Sequence, residues 1–252
     1  MKKTYTLIIL CLAPIWALAQ VGEHRNQFAV GFQAGYNFNE VDFIPKVNDK
    51  TYQGLTGGLT ARYTCEKYFN TICSIQMEFN YSQLGWEEDI VDNNDKAVPT
   101  KSNPNENERF KHSINYFQVP ILAHLAWGKE KKGLNFFFNA GPVLGFFLTD
   151  DIDKNFTPET ANLEKRGYQS EQDQERIKKQ LIEKEQKPKN KFDYGIAAGI
   201  GVELHIKPIG RFQIEGRYYY GLGNLYGDSK LDCFSRSAHQ TTILRGAYLI
   251  DI

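Results

Sequence analysis

The stretch FDYGIAAGIGVELHI (192–206) alternates. Its even positions are Phe192, Tyr194, Ile196, Ala198, Ile200, Val202, Leu204 and Ile206. Between them stand Asp193, Gly195, Gly199, Gly201, Glu203 and His205. Successive side chains of a β-strand point to opposite faces, so this segment presents one apolar face and one polar face.

The same period recurs along the chain. Phe28, Val30, Phe32, Ala34, Tyr36 and Phe38 alternate with Gly31, Gln33, Gly35 and Asn37. Leu55, Gly57, Leu59, Ala61, Tyr63 and Cys65 alternate with Thr56, Gly58, Thr60, Arg62 and Thr64. Cys73, Ile75, Met77, Phe79 and Tyr81 lie opposite Ser74, Gln76, Glu78, Asn80 and Ser82. Segments 117–127, 136–148, 212–222 and 242–252 continue the series. Each run is near the ~9–11 residues that a tilted transmembrane strand needs, and there are eight of them.

Alternation alone does not say which face is outside, because a soluble ligand-binding barrel alternates too. Lysine decides it. The alternating cores contain no lysine, whereas Lys129, Lys131, Lys132, Lys178 and Lys179 fall in connections. A water-facing sheet carries lysine on its polar face, partly to guard its edges. Here that face is Gly, Ser, Thr, Asn and Gln with a few charges, which suits the crowded interior of a narrow barrel. Tyr36, Tyr63, Tyr81, Trp86, Trp127, Tyr218, Tyr220 and Tyr248 lie near strand ends, where interfacial girdles belong. Connections alternate short (66–71, 128–133, 207–210) and long (40–53, 87–112, 150–190, 223–238). The expectation is an all-β fold: an eight-stranded antiparallel transmembrane up-and-down β-barrel with short periplasmic turns and long extracellular loops.

The N-terminus reads as an export signal. Lys2 and Lys3 precede an apolar run from Leu7 to Leu18, and Ala17-Leu18-Ala19 has the small-x-small form of a cleavage site. The apolar run, about 12 residues, is short of the ~20 a spanning helix requires. The signal peptide is therefore assigned to 1–19 and the barrel domain to 20–252, with localisation in the cell outer membrane. Within the domain, the charged extracellular segment 150–190 is read either as a helix above the barrel, around Ile177, Leu181 and Ile182, or as a solvated loop.

The 252 residues carry 30 basic and 30 acidic side chains, a balance unlike that of a nucleic-acid binder. Mean hydropathy is −0.49, unlike that of a helical membrane protein. Arg62, Glu78, Glu203, Glu215, Arg217 and Arg245 share the interior face, three acids and three bases. They are expected to form a structural salt-bridge network, because buried charges must be paired and an eight-stranded barrel is too narrow for an aqueous channel. Cys65 and Cys73 flank the first short turn. They read either as a cross-strand disulfide or as small lipid-facing thiols.

The five histidines, His24, His112, His124, His205 and His239, make no HxH or HExxH spacing, and no CxxC occurs. No metal, cofactor or catalytic residue is expected. His112 beside Ser113, and His239 near Ser237, are the residues a rim-active lipid or peptide hydrolase would use. The expected partners are outer-membrane lipid and envelope proteins met through the extracellular loops.

The segments GFQAGYNFN (31–39), IQMEFNYSQLGW (75–86), YFQVPIL (116–122), NAGPVLGFFL (139–148), FDYGIAAGIGVEL (192–204) and FQIEGRYYYGLGNL (212–225) resemble, in order, the outer membrane protein beta-barrel domain family, or PorT-like proteins, of Bacteroidota. The long 150–190 insertion departs from that family's usual form, and Ile252 stands where many outer-membrane barrels end in an aromatic residue. The resemblance implies a small outer-membrane barrel; the function expected of the chain, from its long loops and its lack of a catalytic motif, is a non-enzymatic binding or assembly role at the cell surface. Through its namesake the resemblance implies, as an alternative, a component of a type IX protein secretion system. It carries over no catalytic or binding residues.

Overall fold

In a computed structural model, which describes residues 22–129, 132–227 and 232–252, the alternating segments pair into one closed sheet. The strands are β1 (Glu23–Ile44), β2 (Asp49–Lys50), β3 (Tyr52–Tyr68), β4 (Thr71–Glu88), β5 (Phe110–Gly128), β6 (Gly133–Lys154), β7 (Phe192–Ile206), β8 (Gly210–Gly221) and β9 (Arg236–Asp251). Each long strand pairs antiparallel with its chain neighbour, β1 pairs with β9, and β4 with β5, so eight strands form a ring. The two-residue β2 adds a ninth strand on the end of β4. A single helix, α1 (Glu171–Lys184), lies in the longest connection. The expected signal peptide lies outside the described residues.

The two faces are inverted relative to a water-soluble protein. Phe32, Leu59 and Ile200 are 61%, 64% and 70% exposed, while Gln33, Arg62 and Glu203 are 4%, 2% and 1% exposed. An exposed apolar belt around a buried polar interior is stable only when the surrounding medium is itself apolar, and a closed barrel satisfies every backbone group within that medium. No helix among the described residues is long and apolar enough to cross a membrane. Aromatic side chains edge the belt. Tyr63, Tyr68 and Trp127 are exposed near one end, and Tyr36, Tyr81, Tyr218 and Tyr220 near the other.

The two ends differ. One holds the start of β1, the end of β9 and the short connections from β3 to β4, β5 to β6 and β7 to β8; this is the turn end. At the opposite, loop end, β1, β4, β5 and β6 run 22, 18, 19 and 22 residues. That is well beyond the ~9–11 needed to cross a bilayer. β6 reaches Lys154, which pairs with Phe110, so the segment expected to leave the sheet at Asp150 leaves it five residues later, at Asn155.

Inward parity is kept along these extensions while the residue type changes. On β1, Gln33, Asn37 and Asn39 give way to Val41 and Phe43. On β4, Ser82 gives way to Leu84 and Trp86. On β5, Gln118 is followed toward the loop end by Tyr116, Ile114, His112 and Phe110, of which only His112 is polar. The apolar side chains meet Ile90, Val98, Phe156, Leu163, Leu181, Leu225, Tyr226 and Phe234 from the loops in one apolar cluster. Trp86, read from the sequence as a girdle residue, is fully buried there, because its even position carries it inward with Ser82 and Leu84. Gly85 between them has φ of 150°, and a Cβ at that point would collide with the His112 carbonyl. The molecule therefore has two cores: a polar one inside the belt and an apolar one capping it.

Candidate functional site

The lumen contains two neutral ion-pair clusters. In the first, Arg217 on β8 donates from Nη1 and Nη2 to the two oxygens of Glu78 on β4, each at 2.8 Å. Its Nε donates to Glu215 at 2.8 Å. Arg245 on β9 donates from Nε to Glu215 at 2.7 Å and lies 3.0 Å from Glu78. In the second, Arg62 on β3 donates to Glu203 on β7 at 2.6 Å. Arg211 reaches both Glu203, at 3.3 Å, and Asp251, at 2.7 Å. Gln76 joins the clusters, accepting from Arg62 at 3.2 Å and donating to Glu78 at 2.7 Å. Gly199 faces this network from β7, where a Cβ would collide with the Glu215 carboxylate.

All six interior charges read from the sequence are thus buried in the lumen. Arg211 and Asp251 were missed because each stands at the margin of its strand. Their odd positions, in step with Glu215 and Arg245, are the signal that puts Arg211 inside and Asp251 on the same face at the mouth of the lumen. Paired, hydrogen-bonded charges at this density fill the cross-section of a narrow barrel.

The cysteines do not face one another. A bulge between Thr64 and Glu66 puts Glu66 opposite Cys73, and both thiols are free. Of the two readings of these cysteines, the structure shows the free thiols: symmetry about the turn holds at Tyr63–Ile75 and Leu59–Phe79, and the extra residue breaks it before the cysteines.

The rim histidines are buried, and neither is hydrogen-bonded to a serine. His112 Nε2 lies 3.3 Å from Asp150 Oδ2, and its Nδ1 lies 3.4 Å from the Tyr226 hydroxyl. Ser113, on the opposite strand face, shares a 2.9 Å hydrogen bond with the Tyr52 hydroxyl. His239 lies edge-on to Tyr116, with ring centroids 5.6 Å apart, and neither of its ring nitrogens has a hydrogen-bond partner. Ser237 accepts from the Tyr226 backbone N–H at 3.1 Å. A nucleophile needs a base within hydrogen-bond reach, and neither pair provides it.

Above the lumen, α1 docks through Leu181, which is fully buried, and Ile177, while Ile182 points to solvent. Of the two readings of this segment, the helix holds over residues 171–184. Beneath α1 lies a third charge cluster. Glu88 accepts from Lys184 at 3.2 Å and from Arg166 at 3.3 Å, and Arg166 Nε donates to Glu108 at 2.8 Å. Lys184 also sits over the Trp86 ring, 5.4 Å from its centroid, and Arg166 over Phe156, 4.7 Å away. Burial pushes the Lys184 ammonium below its usual range, against the pull of Glu88.

This cluster floors a cavity of about 530 Å³. The turn after β1, the segment after β4, residues 166–168 and one side of α1 wall it. Its size falls within the ~300–1,000 Å³ of small-ligand sites. Among the described residues no group of His, Cys, Asp and Glu has metal-holding geometry.

A family model described as outer membrane protein beta-barrel domain matches residues 18–227. Among solved structures, the chain is similar to Neisserial surface protein A, with 11% identity, 89% of this chain and 97% of that chain covered, and a TM-score of 0.45. It is similar to OprG from Pseudomonas aeruginosa, with 12% identity, 91% and 98% covered, and a TM-score of 0.41. It is also similar to Ail, the attachment invasion locus protein of Yersinia pestis, in complex with the heparin analogue sucrose octasulfate, with 12% identity, 90% and 100% covered, and a TM-score of 0.38. No curated protein sequence matches the chain. The family match spans most of the sequence, and a closed β-barrel is the architecture its description names. The chain belongs to the outer membrane protein beta-barrel domain family.

Proposed function

We propose that this protein is a non-enzymatic outer-membrane barrel, exported by its N-terminal leader, that holds a partner or ligand at the cell surface through its loop end. The observation that carries this reading is the apolar core built from Phe43, Trp86, Phe110, Leu181 and Phe234 over a lumen filled by ion pairs. That core makes the loops a formed surface, and formed surfaces on rigid scaffolds are where binding residues concentrate. The filled lumen directs function to the outside of the molecule. A role in type IX secretion, implied by the PorT-like resemblance, is a narrower form of the same reading. The rim-hydrolase alternative gains no support from Ser113 and Ser237, whose hydroxyls are engaged elsewhere.

Amine cross-linking on intact cells, followed by gentle detergent extraction and mass spectrometry, tests the proposal. Cross-links from Lys165, Lys178 or Lys179 at the loop end to another envelope component are expected. Cross-links confined to Lys129, Lys132 and Lys207 at the turn end would overturn it. Protein recovered without any cross-link would restrict the reading to a non-protein ligand.

A further inference from the structure

The cavity beside α1 has charge chemistry that selects its occupant. Four basic and four acidic side chains line it. Several are already engaged: Glu88 with Arg166 and Lys184, and Asp89 with Lys50 at 2.8 Å. Asp92 accepts backbone N–H groups from Asn94 and Lys96 at 2.7 and 2.9 Å. An anion entering would meet Asp89 and Asp92. A cation would meet Lys184 and Arg166. A fully apolar molecule would strip water from the polar wall without replacing its hydrogen bonds.

What the wall offers is amide chemistry. Asn48, Asn93 and Gln180 line the cavity, and among the described residues no side-chain hydrogen bond engages any of them. Gln180 is only 9% exposed as a whole, yet its amide atoms are not sealed from solvent, and its donors and acceptor are unspent. Each amide presents a donor and an acceptor side by side, the arrangement that matches neighbouring hydroxyl groups on a sugar ring. Tyr168, Ile90 and Ile177 supply apolar surface among these polar groups, suited to the C–H faces of such a ring.

We propose that this cavity binds an uncharged saccharide. The proposal deepens, and rests on, the reading of the loop end as a binding surface. Asn93 and Gln180 hold ring hydroxyls, Tyr168 packs on the ring, and the neutral charge balance rejects sulfated or sialylated forms.

The test is the full-length protein in lipid nanodiscs on an array of neutral, sialylated and sulfated oligosaccharides, beside the variant Asn93→Ala/Gln180→Ala. Retention of neutral oligosaccharides is expected, with binding roughly tenfold or more weaker in the variant, the loss that deleting hydrogen bonds to a polar ligand brings. Heat-dependent gel migration of the variant checks that its barrel is intact. Exchanging Gln180→Glu alone, which keeps the side chain's size and one acceptor, should weaken binding while leaving migration unchanged. No saccharide retained, charged saccharides only, or equal binding by wild type and variants would each overturn the proposal. A protein partner cross-linked to the loop end with no saccharide retained would overturn the saccharide and leave the surface-binding function standing.

Discussion

Arg217 and Glu78, 139 residues apart in sequence, meet across the lumen in a two-pronged pair with both bonds at 2.8 Å. The pair links β8 to β4, strands that are not neighbours in the ring. It therefore braces the barrel across its diameter, which no backbone ladder does. Glu78→Gln leaves Arg217 and Arg245 sharing the single carboxylate Glu215. Removing one member of a buried pair costs about 3–5 kcal/mol, and replacing the whole cluster by apolar groups of similar size costs less. In urea titrations of vesicle-embedded protein, the single substitution should destabilise more than the combined Glu78→Leu/Glu215→Leu/Arg217→Met/Arg245→Met variant. The reverse order would mean that the cluster stabilises beyond its own desolvation.

Leu59 lies midway along the exposed face of β3, between Leu55 and Tyr63, and is 64% exposed. Leu59→Arg should cost about 2–4 kcal/mol in a bilayer, the penalty for a cation near the midplane on a lipid-facing strand. Folding yield into vesicles, read by gel migration of unboiled samples, should fall. An unchanged yield would show that this face meets water.

Leu181 anchors α1, and its side chain is fully buried. Leu181→Ala should cost about 2–5 kcal/mol locally, the usual penalty for truncating a core leucine. Trypsin should then cut at Lys178 and Lys179 much faster, with the barrel's gel migration unchanged. Loss of both together would mean that cap and barrel form one cooperative unit.

Cys233, in the last loop, has its thiol pushed up to about 11 by burial and by the Glu183 carboxylate beside it. The thiolate is the nucleophile, so at pH 8 this cysteine should react slowly with iodoacetamide. The rate should climb steadily toward pH 11, as the neutral thiol gives way to the anion. In a Cys65→Ser/Cys73→Ser background, Glu183→Gln should speed alkylation at pH 8 by removing one of the two causes. A rate that plateaus by pH 9 would contradict the assignment.

The belt and the lumen were legible in the sequence, because a period of two survives wherever one face meets lipid and the other a packed interior. Phe192–Ile206 shows this without interruption. The cap was not legible, for a physical reason. Ile90, Val98, Phe156, Leu163 and Phe234 are apolar residues scattered singly or in pairs through polar segments, and no periodicity links residues that meet only after the strands close. One signal was present and went unused: along β1, β4 and, apart from His112, β5 the inward positions turn apolar at Val41, Leu84 and Tyr116 while keeping their parity. The bulge at Cys65 left no such mark, since one extra residue in a ladder looks like any other until its partner strand is known.

The cap core draws on β1, β4, β5 and the loops before β7 and β9 at once. None of these contributors can assemble it alone: Phe43, Trp86 and Phe110 reach one another only when their strands are brought together in the finished ring. The outer surface is accordingly a certificate of correct insertion. A chain stalled on the way into the membrane would display loops without shape, and anything that recognises the finished surface would pass it by.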